Sequence, residues 1–203
     1  MPTPLSEARP LLLGSASPRR RELVGSLGIP CVILAADIDE RTESGERPEP
    51  YLERVVTAKR LAVHARAGDR PFAALLVADT SVTLGDEILG KPADVEEAER
   101  MLERLAGREH RVLTRYSLSL PDGALVSERT VSSSVWIRSA TRDELRRYAH
   151  SGEGLDKAGA YAVQGLGAFL VERIDGSYTN VVGLPSCELV VDLRDAGLLG
   201  PFP

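Results

Sequence analysis

The run Leu11-Leu12-Leu13-Gly14-Ser15-Ala16-Ser17-Pro18-Arg19-Arg20-Arg21 decides the fold class. Three leucines with no polar partner between them read as a short strand buried on both faces. Gly14 to Ser17 are small residues that suit a loop. Ser17 is a good helix N-cap, and Pro18 fits the first helical position, where its missing N–H is an orphan in any case. The helix from Arg19 to Leu27 then places Leu23, Val24 and Leu27 on one face and stops at Gly28. Strand, small-residue loop and helix N-terminus also form an anion cradle, because free backbone N–H groups and the positive end of the helix dipole point at the loop. Three arginines in the first turn oppose that dipole. Their placement suggests a negative ligand, and a capped helix with solvated arginines accounts for them equally well. Neither the P-loop pattern GxxxxGK with a following Ser or Thr nor a GxGxxG is present.

Moving outward, Cys31 to Ala35 is a second strand candidate and Glu43 to Pro50 a polar loop. Tyr51 to Ala67 carries Leu52, Val55, Val56 and Val63 at helical spacing. Ala73 to Ala78 is a continuous apolar run that predicts a central strand. Asp79-Thr80 stands at its end, followed by a Ser81–Leu84 strand and a Gly85-Asp86 turn. Asp94 caps a helix in which Val95, Ala98, Met101, Leu102 and Leu105 share a face, and Gly107 ends it. His110 to Arg138 predicts a long hairpin broken at Pro121-Asp122-Gly123. Thr141-Arg142-Asp143-Glu144 is a capping box opening a helix to His150. Gly165 to Ile174 reads as a strand, Asp175-Gly176 as a turn and Asn180 to Arg194 as a helix. Strands mixed with helices, plus one long hairpin, imply an α/β fold with an elongated mixed sheet.

Composition limits the function classes. The chain has 203 residues, 43% hydrophobic and 27% charged, with a net charge of −5. That balance excludes a disordered chain, a collagen-like fibre and a disulfide-dense miniprotein, and the length favours a single domain over 1–203. The acidic sum argues against a general affinity for duplex nucleic acid, while leaving room for a local basic pocket. Cys31 and Cys187 offer no metal spacing, and their apolar neighbours read as buried free thiols. The first residues, 1–10, are polar, and no stretch of about 18 apolar residues occurs, so neither a signal peptide nor a membrane span is expected and the location read is cytoplasmic.

Several residues could carry chemistry. Asp79 follows a buried strand, where α/β folds place ligands, although turn aspartates are common there too. Lys59 falls in the middle of an apolar helix stripe, so it either snorkels out or meets an anion in a cleft. Lys91 in Gly90-Lys91-Pro92 and Lys157 in Asp156-Lys157-Ala158-Gly159 sit in loops beside glycines. Glu40 could join Asp79 as a carboxylate ligand to Mg²⁺, with Asp37 and Asp39 as competing choices. His64, His110 and His150 are scattered, which discounts a zinc site and a hydrolase triad. Trp136 reads as a strand core or interface residue, and the Ser117–Trp136 hairpin could offer an edge to a second copy in a homodimer.

In order, Gly14-Ser15-Ala16-Ser17-Pro18-Arg19-Arg20, Ala78-Asp79-Thr80, Gly90-Lys91-Pro92, Asp156-Lys157-Ala158-Gly159-Ala160-Tyr161 and Gly176-Ser177-Tyr178-Thr179-Asn180-Val181-Val182-Gly183-Leu184-Pro185 resemble the Maf family of nucleoside triphosphate pyrophosphatases. The likeness spans about 11–193, with a polar extension, 1–9, outside it. It implies an elongated sheet with helices on both sides, related in fold to the inosine triphosphate pyrophosphatases, and an active-site cleft between two lobes. It implies hydrolysis of a nucleoside triphosphate to the monophosphate and pyrophosphate with a divalent metal, Mg²⁺ or Mn²⁺. By the same resemblance Asp79 is the proton acceptor and joins Glu40 at the metal, while Ser15, Ser17, Arg20, Lys59, Lys91 and Lys157 face the phosphates. Arg19, Thr80 and Gln164 match the substrate-specificity residues of the dTTP/UTP branch. A triphosphate carries about four charges, which Arg19, Arg20, Lys59, Lys91 and Lys157 would balance. Gln164 offers a donor and an acceptor to a base edge. The family also includes housecleaning of modified pyrimidine nucleotides and an association with septum formation, so a nucleotide-binding regulator of cell division is the alternative. Gly14 departs from an alanine common in the family, a change expected to do little.

Overall fold

A computed structural model describes residues 2–200; Met1 and 201–203, the ends of the expected domain, lie outside the described residues. Seven strands form one mixed sheet in the order β2-β1-β3-β5-β6-β7, with β4 paired to the far part of β3. The strands are β1 (Leu11–Leu13), β2 (Cys31–Ile33), β3 (Ala74–Leu84), β4 (Glu87–Leu89), β5 (Glu109–Ser119), β6 (Leu125–Ile137) and β7 (Val171–Asp175). The helices are α1 (Pro18–Ser26), α2 (Pro48–Ala67), α3 (Val95–Leu105), α4 (Arg142–His150), α5 (Tyr178–Val182) and α6 (Ser186–Asp195).

Side-chain alternation assigns the helices to faces. Leu12, Leu75 and Val77 point to one side, where Val56 and Val63 of α2 cover them. Leu11, Leu13 and Leu76 point to the other, against Val24 of α1 and Leu189 and Leu193 of α6. Farther along the sheet, Val82, Val112 and Val135 pack with Leu102 and Leu105 of α3 and Leu145 and Tyr148 of α4. The sheet thus runs through two lobes, with helices on both sides as expected. The N-terminal segment is tied to the first lobe: Leu5 packs on it and donates its N–H to the Leu198 carbonyl at 2.8 Å.

Several boundaries differ from the expectations. Asp79-Thr80 does not end a strand: β3 runs unbroken for 11 residues. Gly165–Leu170 is a 3-10 helix rather than strand, because Gly165 takes φ 69° and the strand starts only at Val171. The helix expected from Asn180 to Arg194 is two, α5 and α6, broken where Gly183 takes φ 126° and Pro185 follows. Ser17 occupies the N-cap position of α1, yet its side chain makes no cap bond. Both cysteines are free, but neither is buried: Cys31 lies on the edge strand β2 and is half-buried, and Cys187 is exposed on α6 off its Leu189–Leu193 stripe. Trp136 is half-buried rather than in the core, its ring 3.7 Å below the Arg173 guanidinium. The capping box is formed, with Thr141 accepting from the Glu144 N–H and Glu144 accepting from the Thr141 N–H.

Candidate active site

A gap in the sheet positions the site. On one edge of β3, β1 pairs only with Ala74–Leu76 and β4 only with Val82–Leu84. Between them, residues 77–81 have β5 on one side and, among the described residues, no strand on the other. The Gly14–Ser17 loop leaves β1 here, with the Gly14 N–H donating to the Leu76 carbonyl at 2.8 Å. A cleft of about 1090 Å³ opens at the gap, walled by that loop, by Glu40, by Lys59 and by the segment around Lys157. Asp79 is therefore at the carboxyl end of the parallel β1–β3 pair while standing in the middle of its own strand.

Asp79 shares the sheet face of Leu75 and Val77, which α2 covers. Lys59, near the middle of the buried stripe of α2, meets it there: the Lys59 Nζ donates to Asp79 Oδ1 at 2.6 Å and lies 2.9 Å from Glu40 Oε1. Lys59 and Asp79 are each only 7% exposed. The lysine does not snorkel out; it meets anions, as a buried ammonium must. Burial alone would raise the Glu40 carboxyl, but the charge and hydrogen bond of Lys59, helped by Lys91 and Arg20, hold it below the usual carboxylate range. Of the three acids open to choice, Glu40 is the one brought to Asp79. Asp39 turns to the exposed Arg41 at 2.6 Å, and Asp37 makes no ion pair among the described residues. Glu40 is fixed from α2, where the Tyr51 hydroxyl donates to its carbonyl at 3.0 Å.

Across the strand, Thr80 faces the other way and meets Arg20. The Arg20 guanidinium donates to Ser15 Oγ at 3.1 Å, Thr80 Oγ1 at 3.0 Å and the Gly183 carbonyl at 2.8 Å. Burial lowers its pKa, an effect that Asp79 opposes. Three of the five guanidinium N–H bonds are used, leaving two for a ligand. Ser15 Oγ also accepts from the Ser17 N–H at 3.3 Å, so both its contacts are accepted and its own proton stays available. Thr80 Oγ1 lies 2.8 Å from Thr114 Oγ1, which donates to the Asn180 carbonyl at 3.0 Å.

The remaining expected residues line the same cleft. Arg19 is 3.5 Å from Asp156, and Lys157 reaches Asp156 and the Glu153 carbonyl at 2.5 Å each. Lys91 is exposed at the rim, and Gln164 is exposed at the N-cap of the 3-10 helix. Ser81 was not singled out from the sequence. The residue is 2% exposed, its hydroxyl has no hydrogen-bond partner among the described residues, and it lies on the Asp79 face of β3. Strict alternation from Asp79 would have found it. Glu153 was missed as well, because a loop acid carries no periodic signal; its contacts exist only once the segments around 148 and 165 are brought together.

A family model described as "Maf-like protein" matches residues 10–196. The "dTTP/UTP pyrophosphatase" of Myxococcus xanthus is 49% identical over 95% of this chain and 94% of its own length. That of Hahella chejuensis is 46% identical over 94% of both. Among solved structures, the Staphylococcus aureus Ham1 protein aligns with 92% of this chain and 98% of its own, at 11% identity and a TM-score of 0.48.

Proposed function

The chain belongs to the Maf family, and from that premise we propose that it hydrolyses dTTP and UTP to the monophosphates and pyrophosphate. The observation that carries this reading is the convergence of two carboxylates, Asp79 and Glu40, with Lys59 at one gap in the sheet. On the other side of that gap lies a loop braced by Arg20 and Ser15.

In this reading Asp79 accepts a proton from the attacking water. The oxygen of that water bonds to the α-phosphorus, the P–O bond bridging the α- and β-phosphates breaks, and pyrophosphate leaves with the bonding pair. Lys59, Lys91, Lys157, the two free N–H groups of Arg20 and the hydroxyls of Ser15 and Ser17 hold the phosphates. Positioning and charge then supply most of the acceleration. Arg19 and Gln164 address the nucleoside, and Thr80 acts through Arg20, which its oxygen orients. Glu40 and Asp79 offer the hard carboxylate oxygens a divalent cation takes, and in the structure both contact the Lys59 ammonium, which such a cation would have to share them with; no group of three His, Cys, Asp or Glu occurs among the described residues. In this reading Glu40 and Asp79 would hold Mg²⁺ or Mn²⁺. Such an ion would supply neutralisation of the charge that develops on the departing pyrophosphate.

The chain is read as one domain, and a cytoplasmic location is inferred from the substrate; no described helix is long and apolar enough to cross a membrane. A homodimer would use the edge of β6, since β7 covers only Ser134–Ile137 and residues 125–132 lack a strand beyond β5 among the described residues.

Hydrolysis in ¹⁸O-labelled water tests the assignment. The expected products are pyrophosphate and labelled dTMP or UMP. Release of orthophosphate, or label in pyrophosphate, overturns it.

A further inference from the structure

We propose that Glu153 is a specificity-positioning residue, whose carboxylate holds the turn that presents Gln164 to the base. The inference rests on Gln164 as the base-reading residue.

Gln164 lies midway along a segment fastened at both ends. On one side the Ala162 N–H donates to the Tyr148 hydroxyl at 3.0 Å. On the other, the Leu166 N–H donates to Glu153 Oε1 at 2.8 Å and the Gly167 N–H to Glu153 Oε2 at 2.7 Å. The Tyr148 hydroxyl passes its own proton to the same Oε2 at 2.9 Å. One carboxylate thus collects three donors and ties the two fastenings together. These N–H groups open the 3-10 helix and would otherwise lack acceptors. The packing leaves no slack: a Cβ on Gly165 would lie 2.3 Å from Glu153 Oε1, and one on Gly167 2.4 Å from the Tyr148 hydroxyl. Burial would raise the Glu153 carboxyl, but the Gly167 and Leu166 N–H groups, Tyr148 and the Lys157 charge hold it low.

The main chain of Glu153 extends this to Arg19. Its carbonyl accepts from the Lys157 ammonium, Lys157 pairs with Asp156, and Asp156 faces Arg19. The two side chains read as addressing the nucleoside are therefore linked through 153–157. Thymine and uracil present an N–H donor and a carbonyl acceptor side by side, and cytosine reverses part of that pattern. An unanchored glutamine could turn its amide over and serve either, so a preference requires a held position.

The test compares kcat/KM for dTTP and dCTP in the wild type, Glu153→Ala, Glu153→Gln, Gln164→Ala and the Glu153→Ala/Gln164→Ala double variant, with circular dichroism to confirm folding. Glu153→Ala should reduce the dTTP:dCTP ratio by about tenfold, mainly through KM for dTTP. Glu153→Gln keeps one acceptor and should fall between. The double variant should discriminate no worse than Gln164→Ala alone, because both changes remove one function. If Glu153→Ala does not fold, Tyr148→Phe removes one fastening without touching charge and should lower the ratio in the same direction. Equal losses for both nucleotides, or additive loss in the double variant, overturn the proposal. A wild type that hydrolyses both without preference removes Gln164 as the base reader and this inference with it, while a wild type yielding no pyrophosphate defeats the preceding reading itself.

Discussion

Asp79 and Lys59, each almost closed to solvent at the floor of the cleft, meet at 2.6 Å, and each has a second reason to be there. Lys59 neutralises Glu40 as well, so Asp79→Asn leaves the ammonium one partner and should keep the fold. With Asp79 in the proposed role of proton acceptor, this change should lower kcat by about 10²–10⁴-fold, read as pyrophosphate release beside an unchanged circular dichroism spectrum. Retained turnover would remove Asp79 from its assigned role. Gly14 is a second residue whose meaning appears only in three dimensions. A methyl there would stand 2.6 Å from Val77 Cγ1 and 2.9 Å from Val63 Cγ2, so this glycine is matched to those valines and the substitution is not neutral, contrary to the sequence expectation. Gly14→Ala should destabilise by about 1–3 kcal/mol, measured by urea unfolding. Val77→Ala in the same chain should recover part of that loss, since the two changes share one contact.

At the scale of elements, α4 separates stability from specificity. Thr141→Ala removes half of a capping box far from the cleft and should lower stability by about 1 kcal/mol. It should leave the dTTP:dCTP ratio as in the wild type, because Tyr148 stays packed at the other end of the helix. Strand β5 carries a pH dependence. His110, 2% exposed, bonds Tyr161 at 2.8 Å, and burial pushes its pKa from 6.5 down to about 4. Below about pH 6.5 the unfolded chain takes a proton that the folded one refuses, so stability is complete above that pH and falls as pH drops towards 4. The expected loss is about 2 kcal/mol by pH 5, seen as a lower urea midpoint than at pH 7. His110→Asn should flatten most of that slope; His64, lowered by burial and by Arg60, adds a contribution of the same sign. Local signals served the sequence reading well where one element decides the outcome, as in the Asp94 and Thr141 caps and the α2 stripe. They failed where a partner decides. Apolar residues at 165–170 resemble strand until Glu153 supplies acceptors for a 3-10 turn, and Asp79-Thr80 resembles a strand end until β5 carries the ladder past it. The residues that meet at the cleft were legible because their spacing is shared with a family; the contacts of Glu153, Tyr148 and Thr114 join segments distant in sequence and left no such signal.

For the whole molecule, the gap between β1 and β4 opens into a cleft lined from both lobes, so a nucleotide seated there as proposed would touch both. Ser15, Arg20 and Lys59 belong to the side built on α1 and α2, whereas Lys157 and Gln164 belong to the side built on α3 and α4. β3 and β5 run through both, so the lobes share a ladder and should unfold together. A ligand that binds only the folded state adds about 2.7 kcal/mol at 100 times its Kd. For a chain of this length, that corresponds to a rise in Tm of about 5–10 °C. A non-hydrolysable dTTP analogue with Mg²⁺ should therefore shift a single calorimetric transition upward as one peak. Asp79→Asn, which keeps the cationic cleft and Glu40, should still show a shift, because in the proposed reading most of the groups that hold the phosphates are other side chains. Two resolved transitions, of which the analogue moves only one, would mean that it engages one lobe and that the cleft does not join them around the substrate.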